Sequence, residues 1–238
     1  MEPTQGARVN EPPQEFAGRL GLDFSDYLLL SRALTHRSYL NEHPEAIEDN
    51  ERLEFLGDAV LDFLVGAWLY NRFPEMAEGA LTRLRSALVR TEQLADFAQK
   101  IDLGAAMRLG RGEAGSGGRQ RLALLCGTFE ALIGALYLDQ GIEAVADFIR
   151  PLLESVADKI VASGKIQDPK SQLQEWTQAR GLGAPTYRTV AAYGPDHSKI
   201  FEVEVLVNGS IKGHGTGNSK QSAAKAAAQE AMQSLGAH

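Results

Sequence analysis

Residues Asn50–Asp62, NERLEFLGDAVLD, set four acids, Glu51, Glu54, Asp58 and Asp62, into a segment that otherwise reads as buried helix. At 100° per residue the four carboxylates fall within an arc of roughly 80°, and Leu53, Leu56, Val60, Phe63, Leu64 and Ala67 cluster on the opposite side. The spacing predicts an amphipathic helix from Leu53 to Tyr70. No Lys or Arg stands three or four positions from Glu54 or Asp58, and like charges one turn apart repel mildly. The row is either a solvated polar face or a set of hard oxygen donors, of the kind Mg²⁺ takes in ones and twos while keeping several of its waters. A di-iron site in a helix bundle also uses inward-facing acids, but it needs Glu-x-x-His on two helices. His36, His43, His197, His214 and His238 supply no such pairing. A hard cation is therefore favoured, and its common use is phosphate chemistry, where it activates water and neutralises charge on the attacked and leaving oxygens.

Outward from this helix the same periodicity recurs in Tyr27 to Leu34, Glu78 to Val89, Thr91 to Gln99, Leu122 to Asp139 and Ile142 to Ser163, with Gly or Pro in most gaps. No clear alternating strand interrupts it, so residues 17–163 read as an all-α domain. LGRGEAGSGGRQR (Leu109 to Arg121) is a loop by composition, whose arginines either reach a phosphate backbone or coat a flexible surface. Residues 1–16 read as a flexible N-terminus without an apolar run. No stretch approaches the ~18 uninterrupted apolar residues of a membrane helix, which predicts a non-secreted, cytoplasmic protein with no membrane partner. Cys126 has no second cysteine to pair with and sits in an apolar run, as a buried inert thiol would.

Residues 164–169 read as a linker, after which the pattern changes. A short helix (Ser171 to Arg180) precedes TYRTVAAY and KIFEVEVLVNGSIKGHG. In the latter, Phe201, Val203, Val205 and Val207 alternate with Glu202, Glu204, Leu206 and Asn208, the period of a half-buried strand. Asn208-Gly209 is a type I′ hairpin signal, because that turn needs positive φ at both central positions. A last helix, Ser219 to Leu235, carries a face of alanines. Residues 170–238 thus form an α-β-β-β-α unit with its helices on one face of an antiparallel sheet. The net charge of −7 argues against a nucleic-acid partner only until the chain is divided. From Asp168 onward seven cations face six acids, whereas the rest holds 17 against 25, so the acidity belongs to the first domain.

NERLEFLGDAVL resembles the signature of the ribonuclease III family. THRSY (Thr35 to Tyr39), FPEMAEG with LTRLRSALV (Phe73 to Val89), LGRGEAGSGGRQR and FEALIGALYLD (Phe129 to Asp139) resemble that family's other blocks, in the family's order. LQEW, PTY, GPDHSKIF, GTGNSK and AAAQEA resemble a double-stranded-RNA-binding domain. The resemblance implies an all-α endonuclease domain followed by a small α+β (α-β-β-β-α) dsRNA-binding domain, working as a homodimer. It implies cleavage of both strands of duplex RNA with Mg²⁺, in the processing and decay of rRNA and mRNA precursors; the glycine at position 127, where the family has an aspartate, adds the expectation that Mn²⁺ can substitute. The expected products carry 5′-phosphates, 3′-hydroxyls and short 3′ overhangs.

Carried over by residue, Glu54, Asp58 and Glu130 are the implied catalytic metal ligands, and Glu51 and Glu78 line the cleft. Asp62 has no counterpart and stays on the solvated face. One position departs: the family pattern places an aspartate three residues before the glutamate, where this chain has Gly127. The implied outcome is a weakened but competent enzyme; the alternative is a dsRNA-binding protein impaired in catalysis. In the second domain the resemblance assigns RNA contacts to Gln174, Glu175, Gln178, His197, Ser219, Lys220 and Lys225. The family's two adjacent basic residues, with a third four positions on, are here Lys220, Gln221 and Ala224, with Lys225 one place late. Ser219 and Lys220 open a helix whose free N–H groups and dipole suit a phosphate.

Overall fold

A computed structural model describes residues 11–162, 168–195 and 198–236, and the chain divides into two units, Met1–Ala162 and Ser163–His238. The first is built on two helices. The acidic stretch forms α4 (Glu51–Arg72), which buries Leu53, Gly57, Val60, Leu61, Leu64, Val65 and Leu69. These residues lie against α9 (Leu122–Gln140), whose middle is buried almost continuously from Leu125 to Leu136. The two backbones touch. A Cβ on Gly57 would lie 1.7 Å from the carbonyl O of Glu130, and one on Gly134 would lie 2.3 Å from that of Leu53. Only glycine permits this approach.

Around this pair pack α5 (Glu78–Val89), α6 (Thr91–Lys100) and α10 (Ile142–Ala162), each burying an apolar stripe. Phe129 of α9 meets the Phe97 ring of α6 at 6.1 Å and the Phe148 ring of α10 at 6.4 Å. By length and composition α9 is apolar enough to cross a membrane, but it is mostly buried inside the domain as its central core helix. The short helices α2 (Tyr27–Ala33) and α3 (Arg37–Leu40) are joined to the rest by a parallel bridge between Thr35 and Arg108, a pairing with no signature in the helical pattern.

Two expectations are corrected. Residues 11–16 are not a flexible terminus. Pro13 opens α1 (Pro13–Leu20), Phe16 is fully buried, and Glu11 is held by a two-pronged contact from Arg19, with Nε at 2.9 Å and Nη2 at 2.7 Å. One aromatic in PQEFAG leaves too short a pattern to read; residues 1–10 lie outside the described residues. Leu109–Arg121 is not a loose loop either. It contains α8 (Arg111–Gly115) and a 3₁₀ turn (Gly118–Gln120), preceded by the short α7 (Leu103–Ala106). Arg119 Nη1 donates to the carbonyl oxygens of Gly104 and Met107, both at 2.7 Å, and Arg121 pairs with Glu113. Two of its arginines therefore bind the protein, while the Arg111 side chain remains 97% exposed, 3.5 Å from Glu42.

The second unit runs α11 (Pro169–Ala179), β1 (Thr186–Tyr193), β2 (Ile200–Val207), β3 (Ser210–Gly217) and α12 (Lys220–Ser234), with the strands antiparallel in the order β1-β2-β3. Asn208 and Gly209 have φ of 49° and 75°, the positive values that the tight hairpin requires. Val203, Val205 and Val207 point inward against Leu173 and against Ala223, Ala227, Ala228 and Ala231 of α12. Small side chains on the helix let it lie close on the sheet. The expected linker at 164–169 falls largely outside the described residues, and α11 begins within it, at Pro169.

Candidate active site

One open concavity, of about 450 Å³, is lined by Glu51, Glu54, Phe55, Asp58 and Glu130. Helical spacing sets Glu54 and Asp58 one turn apart on α4, and the glycine-mediated contact of α4 with α9 brings in Glu130 from more than 70 positions away. Glu130 is half-buried. Burial first, then the charges of Asp58 and Glu54, push its carboxyl up to about 7. Glu54 is raised as well, by burial and then by Glu51, Asp58 and Asp49. Among the described residues, Arg37 reaches Glu51 at 3.3 Å, but no ion pair reaches Glu54, Asp58 or Glu130.

The donor chemistry fits a hard divalent cation: carboxylate oxygens only, mutually repelling, and open to water on one side. The three side chains share a concavity without converging. Among the described residues, no three His, Cys, Asp or Glu side chains gather closely enough to enclose an ion. Such a set suits a cation that keeps part of its hydration shell rather than one held in a closed cage.

Glu78 does not line this concavity. It stands in the first turn of α5, where its carboxylate accepts from the Thr82 hydroxyl at 3.1 Å. Asp62 lies outside it too, 4.0 Å from Arg85 Nε. Gly127 faces the site. A Cβ there would lie 2.7 Å from Oε2 of Glu54 and 2.9 Å from its Cδ. Sequence reading missed two neighbours. Phe55 walls the site while 80% exposed. The Cys126 thiol donates to Glu130 Oε1 at 3.6 Å and is itself pushed up to about 12, first by burial and then by Glu130. The four-residue spacing between Cys126 and Glu130 is the signal that could have found this contact.

In the second unit, Gln174, Glu175 and Gln178 stand exposed on α11, opposite the buried Leu173 and Thr177. His197 lies outside the described residues. Ser219 caps α12, its hydroxyl accepting from the Ser222 N–H at 3.1 Å while Ser222 Oγ accepts from the Ser219 N–H at 3.0 Å. Lys220 is exposed at the start of that helix. The Lys225 ammonium lies 3.7 Å from Asp168, just ahead of α11, with nearly half of its side chain exposed.

The chain thus pairs a helical unit bearing a carboxylate cleft with a smaller α-β-β-β-α unit, the layout of a two-module, carboxylate-site protein. Family models match residues 26–156 as Ribonuclease-III-like and residues 169–235 as a double-stranded RNA binding motif. The chain belongs to the ribonuclease III family, and it is a double-stranded-RNA-specific endoribonuclease of that metal-dependent family. It is 49% identical over 224 residues to ribonuclease 3 of a Roseiflexus species, covering 93% of this chain and 94% of the relative. It is 45% identical to ribonuclease 3 of Bacillus licheniformis, covering 94% and 90%. The solved nuclease domain of ribonuclease III from Campylobacter jejuni is 38% identical and superposes with a TM-score of 0.54 over 60% of this chain and 93% of that one.

Proposed function

We propose that the protein hydrolyses phosphodiester bonds in both strands of duplex RNA with Mg²⁺, which Mn²⁺ can replace. The products would carry 5′-phosphates, 3′-hydroxyls and short 3′ overhangs, in the cytoplasmic processing and decay of rRNA and mRNA precursors. Glu54, Asp58 and Glu130 would hold the cation, with Glu51 at the rim of the cleft. The bound cation supplies a lowered pKa for water and neutralises charge on the phosphate oxygens. The chain supplies the rest. Glu130 gives up its proton near neutrality, Glu54 and Asp58 present their carboxylates one turn apart on α4, and the open side of the concavity admits the backbone.

The observation that carries this reading is the shared concavity of Glu54, Asp58 and Glu130, unanswered by any cation among the described residues. A single-turnover cleavage assay on a long RNA duplex tests it. The protein should cut with Mg²⁺, and Glu130→Gln should be slower by at least about a hundredfold, as for loss of a group that stabilises transition-state charge. Equal rates would remove the assignment. With one carboxylate fewer than the family pattern, cleavage should reach half its maximum at lower Mn²⁺ than Mg²⁺. A protein that binds duplexes tightly but cuts with neither metal would instead be the impaired RNA-binding form.

A homodimer is part of the same reading. Phe55, Phe63 and Tyr70 are 80%, 65% and 73% exposed along α4, beside the acids, and a related Campylobacter jejuni structure is described as flexible in a region involved in dimer formation. Aromatic side chains so placed are typical anchors of a protein interface. For RNA capture we assign Gln174, Glu175 and Gln178, with His197, to the minor grooves, where A-form RNA displays 2′-hydroxyls. Lys220 and the N-terminus of α12, capped by Ser219, would meet the phosphates between them.

A further inference from the structure

We propose that Arg37 positions duplex RNA at the cleft: its guanidinium, held at the rim by Glu51, takes a backbone phosphate next to the one that is cut. This rests on the reading of the concavity of Glu54, Asp58 and Glu130 as the hydrolytic site. Arg37 Nη1 donates to Glu51 Oε1 at 3.3 Å, and Glu51 is one of the residues lining that concavity. The contact uses one of the five N–H groups that a guanidinium carries. The side chain is 72% exposed, so its other donors stand in water beside the acids.

The base of this side chain is fixed, while its tip is free. Arg37 opens α3, and that short helix is fastened to the chain around Gly110. Ser38 Oγ accepts the Gly110 N–H at 3.0 Å, Glu42 just past α3 accepts the Arg111 N–H at 2.9 Å, and the Arg108 guanidinium lies 4.5 Å over the Tyr39 ring. A Cβ on Gly110 would fall 2.6 Å from the carbonyl oxygen of Ser38, so the two backbones are in contact. Arg37 therefore starts from a fixed point within one side-chain length of the cleft. Charge supplies the reason for a cation there. The residues before Asp168 hold 17 cations against 25 acids, and the concavity offers an incoming strand only carboxylates and Phe55. A bound divalent ion neutralises charge at the phosphate being cut, but the phosphates on either side of it meet the rim. Their oxygens match the parallel N–H groups of a guanidinium, and the RNA backbone brings one with every nucleotide. Glu51 then has a use apart from the metal, which is to keep Arg37 at the rim.

Single-turnover cleavage of a long duplex by the full chain with saturating Mg²⁺, at increasing protein concentration, separates capture from chemistry. Arg37→Ala should raise the half-saturating protein concentration about tenfold, the size of one charge-assisted hydrogen bond, and leave the maximum rate within about threefold. The ratio of maximum rate to half-saturating concentration should depend on log salt with a slope shallower by about one unit, the loss of one phosphate contact. Arg37→Lys keeps the charge without the planar fork and should fall between Arg37→Ala and the unaltered chain. Arg72→Ala is the control. Arg72 makes a like 3.3 Å pair with Asp158, at the far end of the 22-residue α4 and about 30 Å from Glu51, so its loss removes the same charge and should leave both measurements unchanged. The melting temperature of Arg37→Ala and its Mn²⁺ affinity without RNA should match those of the unaltered chain. Unchanged half-saturation in Arg37→Ala, an equal loss in Arg72→Ala, or a fall in Mn²⁺ affinity would each overturn the proposal. Failure of the underlying reading looks different, because Glu130→Gln would then cut as fast as the unaltered chain.

Discussion

The Cβ that Gly57 lacks would lie 1.7 Å from the carbonyl oxygen of Glu130, so the residue that completes the acidic cluster is held against the helix that starts it by the absence of a side chain. Gly57→Ala should gain about 1 kcal/mol of helix propensity and still lose stability, because forcing a methyl into packed backbone costs about 1–3 kcal/mol or more. Chemical denaturation should show a net loss. Metal affinity should fall with it, since α4 must move away from Glu130.

Glu130 ties folding to pH in the metal-free protein. Its carboxyl is raised to about 7 in the folded chain, above the ordinary value of 4.5, so the folded state holds a proton that the unfolded state has released. Stability relative to the unfolded chain is fully present below about pH 4.5 and declines as pH rises through about 7. Melting temperatures across this window should fall with rising pH, and Glu130→Gln should flatten the slope. Cation binding needs the ionised form, so Mn²⁺ affinity should rise over the same window; a flat profile would contradict the burial of this carboxyl.

Phe55 leaves four-fifths of its surface in water next to the cleft. Phe55→Asp should shift sedimentation towards a single chain, because losing a central aromatic anchor costs an interface about 2 kcal/mol or more. The melting temperature of the separated chain should be little changed, as the side chain packs against little of its own domain. Unaltered mass in solution would place any dimer contact elsewhere.

Lys220 and Lys225 should behave differently in RNA binding. Lys220→Ala should lower the slope of log affinity against log salt by about one unit, the loss of one phosphate contact. Lys225→Ala should leave the slope alone and cost the second unit at most about 1 kcal/mol, the worth of a partly exposed ion pair with Asp168. The reverse pattern would show that Lys225 leaves Asp168 for the RNA.

What could be read without coordinates was local. The one-turn spacing of Glu54 and Asp58, the alternation of Val203, Val205 and Val207, and the two positive-φ residues Asn208 and Gly209 follow from backbone geometry within a few residues. Family resemblance supplied Glu130, which periodicity alone does not join to them. The order of Leu109–Arg121 was hidden because it depends on Arg119 reaching the carbonyl oxygens of Gly104 and Met107. Residues 11–16 were misread for a similar reason: one buried phenylalanine and one ion pair hold them, neither of which makes a period.

The sequence by itself determined two units, their longer helices and strands and an acidic stripe on α4, since hydrophobic periodicity and turn chemistry act over one or two turns of chain. Only the tertiary structure decided what each charge answers to. Lys225 turns to Asp168, and Glu54 turns to the space over Gly127. These outcomes depend on which elements approach one another, and that is settled between residues far apart in the sequence.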